Sequence, residues 1–256
     1  MTKLKDEAPS FFLALQFLTR LPWPADVSYS EVAMQRSPGW YPVVGLVIGG
    51  LSAVIFLAAA LVLPHLMAVL ITVSAGLLLT GALHEDGFAD LCDGLGGARG
   101  ARSRALEIMR DSRIGAYGAI GLGMALALRI AALMLLPPWA VPVAVIVGAV
   151  VSRASMTRAM AVSIYVRTLG AGSAMAGEMP DAVLQRALLT GAVLMVISWP
   201  VFGLWAGIGG AIGVTAAHLG LRKIYEPRLG GYTGDCLGAV QIVTEIGFLV
   251  GLLAGM

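Results

Sequence analysis

The residues from 84 to 94 carry a dense acidic cluster. Four acids fall within nine positions, at Glu85, Asp86, Asp90 and Asp93. Asp86, Asp90 and Asp93 are spaced i, i+4 and i+7, so on a helix their carboxylates form one stripe. Glu85 lies about 100° away, at the edge of that stripe. Carboxylates this close repel each other unless a cation lies between them, so the spacing predicts a metal site. Mg²⁺ suits it, because this ion takes few carboxylates and completes its shell with water and phosphate.

A simpler interpretation treats the same acids as a solvated helix start, or as partners of Arg99, Arg102 and Arg104. Charge is scarce along this chain, however, and the 48 residues from 37 to 84 contain no Asp, Glu, Lys or Arg. Ionisable groups placed at the end of such an apolar run more often mark a functional site than a solvated surface. The metal site is therefore the favoured hypothesis.

Two arginines follow the acids, in the sequence RDSRIGAYG at 110–118. A guanidinium group matches two phosphate oxygens at once, and the N-terminus of the helix that follows adds positive potential. We therefore predict that Arg110, Ser112 and Arg113 bind substrate phosphate, with Arg20 as a further candidate. Arginines at a membrane surface also act as simple anchors, and this alternative stays open for each of them.

A glycine-rich segment, GGYTGD at 230–235, precedes the last apolar run. Successive glycines let backbone N–H groups face a phosphate, although a flexible loop is the plainer interpretation. Asp235 is predicted to bring a further carboxylate to the metal or to the substrate. Together, carboxylates, a divalent metal and arginines point to phosphoryl transfer on a substrate that carries a diphosphate.

The composition indicates that a membrane must position these groups. The chain of 256 residues is 58% hydrophobic and only 12% charged, with a mean hydropathy of +0.87. Soluble domains carry roughly 25% charged residues, so this chain has too few charged residues to form the surface of a soluble domain. The net charge of +2, without any basic run, argues against nucleic acid as a partner.

Apolar runs long enough to cross a bilayer recur along the chain. They predict one all-α domain over 1–256, a polytopic bundle of about seven transmembrane helices. The expected spans are 41–63, 66–83, 114–136, 139–160, two short spans within 188–219 that break near 204–210, and 237–254. Glu245, inside the last span, is expected to face the bundle interior.

The remaining polar segments, at 1–39, 84–113, 161–187 and 220–236, then lie on one face and hold 14 of the 17 Lys and Arg residues. The positive-inside rule makes this face cytoplasmic, which places the active site and the N-terminus there. Segment 1–39 is expected to be cytoplasmic or interfacial. Its first helix either lies on the membrane or packs on the bundle.

Several motifs in order resemble the cobalamin synthase family, the adenosylcobinamide-GDP ribazoletransferases. They are FLALQFLTRLP at 12–22, WYPVVG at 40–45, GALHEDGFADLCDG at 81–94, IMRDSRIGAYG at 108–118, and GGYTGD at 230–235 with Gly238. The acidic and arginine motifs are the specific ones. The segments 94–104 and 168–186 match no motif of the family.

The resemblance implies a multi-pass protein of the bacterial inner membrane that uses Mg²⁺. It implies that adenosylcobinamide-GDP reacts with α-ribazole, or with its 5′-phosphate, to give adenosylcobalamin or its phosphate and GMP. As a hypothesis, Asp86, Asp90 and Asp93 hold Mg²⁺ with help from Glu85, and Asp235 completes the site. One aspartate serves as general base. A homo-oligomer and association with other corrinoid-assembly enzymes are left open.

Two other classes are considered. Membrane enzymes that transfer a phospho-alcohol from CDP also use spaced aspartates, but their motif has Asp-Gly-x-x-Ala-Arg, whereas Ala89 here precedes Asp90. A transporter would place its charges near the midplane and show inverted repeats. The acids here lie at the end of an apolar run, and no inverted repeat is found.

Overall fold

The computed structural model describes residues 7–22, 27, 29–167, 177 and 179–256. Residues 1–6, 23–26 and 28 of the predicted N-terminal segment, and 168–176 and 178 of the third polar segment, lie outside this part. Within the described residues the secondary structure is helical, apart from one isolated bridge between Tyr165 and Tyr232. The predicted all-α fold is therefore confirmed.

The helices are α1 (Glu7–Leu18), α2 (Glu31–Arg36), α3 (Tyr41–Ala60), α4 (His65–Thr80), α5 (Leu83–Gly97), α6 (Arg102–Ile108), α7 (Ala116–Leu135), α8 (Val141–Val162), α9 (Asp181–Phe202), α10 (Leu204–Leu229) and α11 (Gly234–Ala254). A short 3₁₀ turn, Ser37–Trp40, joins α2 to α3.

Six segments of the described chain are long and apolar enough to cross a membrane. They are the continuous run Glu31–Ala60 and the helices α7, α8, α9, α10 and α11. The pair α4 and α5 also passes when taken together, and the total is seven if this bent pair is one span. The chain is thus a multi-pass membrane protein, as the sequence predicted.

The second predicted span, 66–83, ends earlier than expected. Helix α4 stops at Thr80, and the next two residues adopt left-handed backbone conformations, Gly81 at φ 63° and Ala82 at φ 55°. A left-handed glycine ends a helix without steric cost, because it has no side chain to clash. The chain then turns by 87° into α5, the helix that carries the acids.

The division of 188–219 also differs from the prediction. The break is at Gly203, just before the predicted region, and its φ of 87° favours glycine. Both flanking helices extend into segments predicted to be polar, α9 back to Asp181 and α10 on to Leu229. The extension of α10 is stabilised by the i, i+4 ion pair between Arg222 and Glu226.

Helices α8 and α11 form the centre of the bundle. In their most apolar windows 83% and 72% of residues are buried, against 22–28% for α7, α9 and α10. Glycines allow α10 and α11 to approach closely: a side chain added at Gly213 or Gly251 would collide with backbone of the opposing helix. Such small-residue contacts are typical of helix packing in membranes.

The first helix packs on the bundle, the second of the two alternatives. Ala14, Leu15 and Leu18 of α1 are buried within the main hydrophobic cluster. The Glu7 carboxylate also forms an ion pair with Arg186 of α9 and accepts a hydrogen bond of 3.1 Å from Trp40 Nε1. These contacts fix α1 beside the start of α3.

Candidate functional site

Helix α5 lies across the N-terminal ends of α7 and α11, and Asp93 makes the contact with α7. Its two carboxylate oxygens accept backbone hydrogen bonds from Gly115 (2.7 Å) and Gly118 (2.8 Å). A side chain at either glycine would collide with this carboxylate. Asp93 therefore caps α7 from another helix, satisfying N–H groups that have no partner within α7.

A second close approach joins α5 to α11. An added Cβ at Gly87 would lie 2.8 Å from Asp235 Cα, and one at Gly238 would lie 2.8 Å from the His84 carbonyl oxygen. Only glycine permits backbones to come this near. The contact brings Asp235 beside the acids of α5.

Asp235 forms an ion pair with Arg167, a residue that the sequence analysis did not select. Arg167 Nη2 lies 2.6 Å from Asp235 Oδ2 and 3.1 Å from the Met109 carbonyl oxygen. Backbone hydrogen bonds position this arginine: Val166 N–H donates to Tyr232 O at 3.0 Å, and Tyr232 N–H donates to Ile164 O at 2.8 Å. The loop after α8 is thereby attached to the glycine-rich loop before α11.

Two carboxylates of α5, those of Asp86 and Asp90, make no contact of this kind among the described residues. Asp86 is exposed and Asp90 is half-buried, and neither side chain has a hydrogen-bond or ion-pair partner among the described residues. The Asp90 carboxyl lies within electrostatic reach of Asp86, Asp235 and Arg167. The structure thus brings Asp86, Asp90 and Asp235 within electrostatic reach of one another.

A cavity of about 170 Å³ opens beside these acids. Its polar lining includes Asp86, Tyr165, Arg167 and Asp235. Burial raises the pKa of the Tyr165 phenol, an effect that the nearby Arg167 opposes, so Tyr165 stays a neutral hydrogen-bond donor. The apolar lining comes from Phe17, Leu18, Leu83, Met156 and Leu237. The cavity suits a ligand that has both apolar and charged parts.

The predicted phosphate-binding arginines line a different cavity, open and of about 780 Å³. Arg110 and Arg113 lie on its wall with Arg104 and Asp93, while Ser112 is exposed beside it. Arg113 Nη2 lies 2.7 Å from Asp111 Oδ2, and this hydrogen bond holds the pKa of the Asp111 carboxyl below its ordinary value. Because Asp93 lines this cavity and Asp86 the smaller one, α5 lies between the two.

Arg20 lines neither of these cavities. It is exposed at the α4–α5 break, where its backbone N–H donates to Leu79 O at 2.7 Å and its side chain covers Gly81. The structure therefore does not bring Arg20 to the other predicted phosphate-binding residues. Its described contacts hold the turn that starts α5.

Glu85 faces away from Asp86, into the bundle. It is buried, and its carboxylate lies 3.8 Å from Arg129 Nη1. Arg129 Nη2 lies 2.8 Å from Glu245, which accepts a 2.6 Å hydrogen bond from Gln241. Glu245 thus faces the interior, as expected, and Glu85 belongs to a buried charge network separate from the exposed acids.

The described residues contain no group of three or more His, Cys, Asp or Glu side chains placed to hold a metal. One helix directs its four acids to different neighbours: Glu85 to Arg129, Asp93 to the α7 backbone, and Asp86 and Asp90 to the surface. Spacing alone did not show that backbone groups and an arginine would engage two of them. Of the four acids, Asp86 and Asp90 are the two without a hydrogen-bond or ion-pair partner among the described residues.

Comparisons with known proteins cover almost the whole chain. The family model for cobalamin-5-phosphate synthase matches residues 10–253. The adenosylcobinamide-GDP ribazoletransferase of Leptothrix cholodnii is 42% identical, with 100% of this chain and 99% of the relative covered. Proteins of the same name from Azorhizobium caulinodans (40%; 94% and 93% covered) and Shewanella woodyi (34%; 99% and 98% covered) are also similar.

No solved structure matches the chain. The family model spans all the helices that build the site, from within α1 to near the end of α11. The motifs that suggested the resemblance therefore lie within one continuous match, and the chain belongs to the cobalamin-5-phosphate synthase family.

Proposed function

We propose that this chain joins adenosylcobinamide-GDP to α-ribazole, or to its 5′-phosphate, and releases GMP. The relatives that match it along its full length carry the name of this activity. The observation in the structure that supports it best is the cavity lined by Asp86, Asp235 and Arg167, with Asp90 within electrostatic reach of all three. Carboxylates beside a cation are what a metal-assisted transfer of phosphate requires.

The donor set fits Mg²⁺, because this ion is commonly bound by one or two carboxylates together with substrate phosphates and water. Asp86 and Asp90 would hold it, since both are free of other partners among the described residues. When bound, the ion would neutralise charge on the diphosphate. Asp93 and Glu85 would act structurally, through the contacts that they already make.

The residues of this chain would then orient the two substrates. Arg110 and Arg113 would hold phosphate oxygens from the open cavity. The ribazole 3′-hydroxyl oxygen bonds to the phosphorus attached to cobinamide, while the bond from that phosphorus to the oxygen of GMP breaks. Asp90 would accept the hydroxyl proton, and Arg167 would keep Asp235 in place beside it.

The placement in the cell follows from charge. We propose that the chain lies in the bacterial inner membrane with the face that carries α5 in the cytoplasm, together with the N-terminus. The four polar segments, which hold 14 of 17 Lys and Arg residues, support this orientation through the positive-inside rule. A reporter fused after Met256 would then be accessible from the periplasm only.

The direct test uses the full chain purified in detergent. It is incubated with adenosylcobinamide-GDP, α-ribazole and Mg²⁺, and chromatography follows cobalamin and GMP, with EDTA in a parallel sample. We expect equal amounts of the two products, and neither with EDTA. Absence of product from folded protein would overturn the assignment, and product formation in EDTA would overturn the role of Mg²⁺.

A further inference from the structure

A second feature of the bundle lies away from the acids, on the surface formed by α8, α9 and α10. These helices line a groove with a volume of about 510 Å³. Each contributes a stripe at helical spacing: Ala154 and Arg158 from α8, Ala192 and Trp199 from α9, and His218 from α10. Because all three stripes follow their helices, the groove runs along the bundle axis.

The length of the groove is comparable to that of an acyl chain. On α9 its lining extends from Leu188 to Trp199, a separation of eleven residue steps, which corresponds to about 17 Å at the rise of an α-helix. Apart from Thr215, the wall between its polar end and Trp199 is formed by aliphatic, glycine and alanine residues. Such a wall offers hydrocarbon a long apolar contact.

The other end of the groove is polar and positively charged. Arg158 of α8 and Arg222 of α10 line it, and Ser155 forms a 2.7 Å hydrogen bond with His218 Nδ1 beside them. Arg222 is already paired with Glu226. Arg158 is exposed and has no ion-pair or hydrogen-bond partner among the described residues. Among the described residues, this end therefore carries one positive charge that no carboxylate pairs.

The positive end lies at the same side of the membrane as the acidic site. Helix α8 ends at Val162, shortly before Arg167, and α10 ends at Leu229, shortly before Asp235. Arg158 and Arg222 are one to two turns inside these ends. This is the depth at which arginine side chains reach phosphate headgroups.

We propose that this groove binds an anionic glycerophospholipid from the leaflet on the side of the acidic site. One acyl chain would lie against α9, and the phosphate would accept hydrogen bonds from the guanidinium groups of Arg158 and Arg222. A basic pocket between transmembrane helices is a recurrent mode of headgroup recognition. The uncompensated charge of Arg158 selects an anionic over a zwitterionic headgroup. The proposal is independent of the proposed function.

The test measures thermal unfolding of the full chain in detergent supplemented with phosphatidylglycerol or with phosphatidylcholine of identical acyl chains. We expect phosphatidylglycerol to raise the melting temperature more. This difference should disappear in Arg158→Gln, which removes the charge, and in Ala192→Phe, which fills the groove. Lys223→Gln and Val193→Phe are matched controls, since both side chains are exposed on the same helices but do not line the groove.

Equal effects of the two lipids on the unaltered chain would overturn the proposal and leave an apolar surface without headgroup selectivity. The proposal is also overturned if the difference in melting temperature between the two lipids stays unchanged in Arg158→Gln. If Arg158→Gln fails to fold, Arg158→Lys provides the second measurement: it keeps the charge, so the preference for phosphatidylglycerol must persist. Native mass spectrometry of the same samples should show one retained phosphatidylglycerol, and its absence would contradict a specific site.

Discussion

At the residue scale, the four acids of α5 differ in the contacts that they make within the protein. Asp93 accepts two backbone hydrogen bonds and Glu85 faces an arginine, whereas Asp86 and Asp90 have no protein partner among the described residues. A carboxylate that accepts hydrogen bonds or faces an arginine helps to hold the fold, whereas a carboxylate without such a partner is available to a ligand. Substitutions should therefore have different effects in the two groups: loss of turnover at Asp86 and Asp90, and loss of stability at Asp93.

Asp86→Asn and Asp90→Asn should each lower turnover by a factor of roughly 10²–10⁴, the range expected when a proton-accepting or charge-bearing group is lost. Their melting temperatures should match that of the unaltered chain, because neither side chain supports the fold. Turnover is measured with adenosylcobinamide-GDP and α-ribazole. Asp181→Asn, at an exposed position of α9, is the control. Near-normal turnover in both variants would remove these residues from the site.

Asp93→Ala should instead destabilise the protein by about 1–2 kcal/mol, the usual cost of losing an N-cap. The physical reason is that Gly115 N–H and Gly118 N–H would lose their acceptors at the start of α7. Thermal or denaturant unfolding in detergent measures the loss, and Asp111→Ala serves as a comparison, since Asp111 bonds only within its own loop. A stable but inactive Asp93→Ala protein would favour metal binding by Asp93 over capping.

At the element scale, the sequence identifies α5 but not its position. The i, i+4, i+7 spacing correctly placed the acids on a helix, and the long apolar runs located most of the spans. The position of α5 across α7 and α11 depends on Gly87, Gly118 and Gly238, whose close contacts lie far along the chain. Arg167 was missed because a bridge to Tyr232, not a local pattern, brings it to Asp235.

Gly87→Ala tests whether α5 must touch α11. The added Cβ would lie 2.8 Å from Asp235 Cα, so the two helices must separate and carry Asp235 away from Asp86 and Asp90. We expect both stability and turnover to fall. Gly123→Ala in α7 is the matched control, because nothing lies within 4 Å of its added Cβ. Removing a helical glycine there should be neutral, or stabilising by up to about 1 kcal/mol. Equal behaviour of the two variants would contradict the close approach.

At the scale of the whole molecule, one buried charge network connects the elements of the site. Glu85 of α5 and Glu245 of α11 both face Arg129 of α7, at 3.8 and 2.8 Å. Arg153 of α8 lines one cavity together with Glu85, Arg129 and Glu245, so the two arginines balance the two glutamates. A charge inside a membrane bundle is costly unless it is paired, so the network favours the arrangement in which α5, α7 and α11 meet.

Replacing Arg129 alone should therefore lower the free energy of unfolding more than replacing Arg129 together with its partner Glu245. Arg129→Met leaves Glu85 and Glu245 without their shared partner, and breaking a buried pair in this way typically costs about 3–5 kcal/mol. Adding Glu245→Gln to Arg129→Met removes one uncompensated charge, so the double variant should regain part of that stability. Denaturant unfolding of the single and double variants in the same detergent gives the coupling energy between the two positions. Because α5 and α11 meet through this network, turnover of the double variant should recover in parallel. Additive losses, with no recovery, would mean that Arg129 and Glu245 stabilise the bundle independently and that the network does not hold the site together.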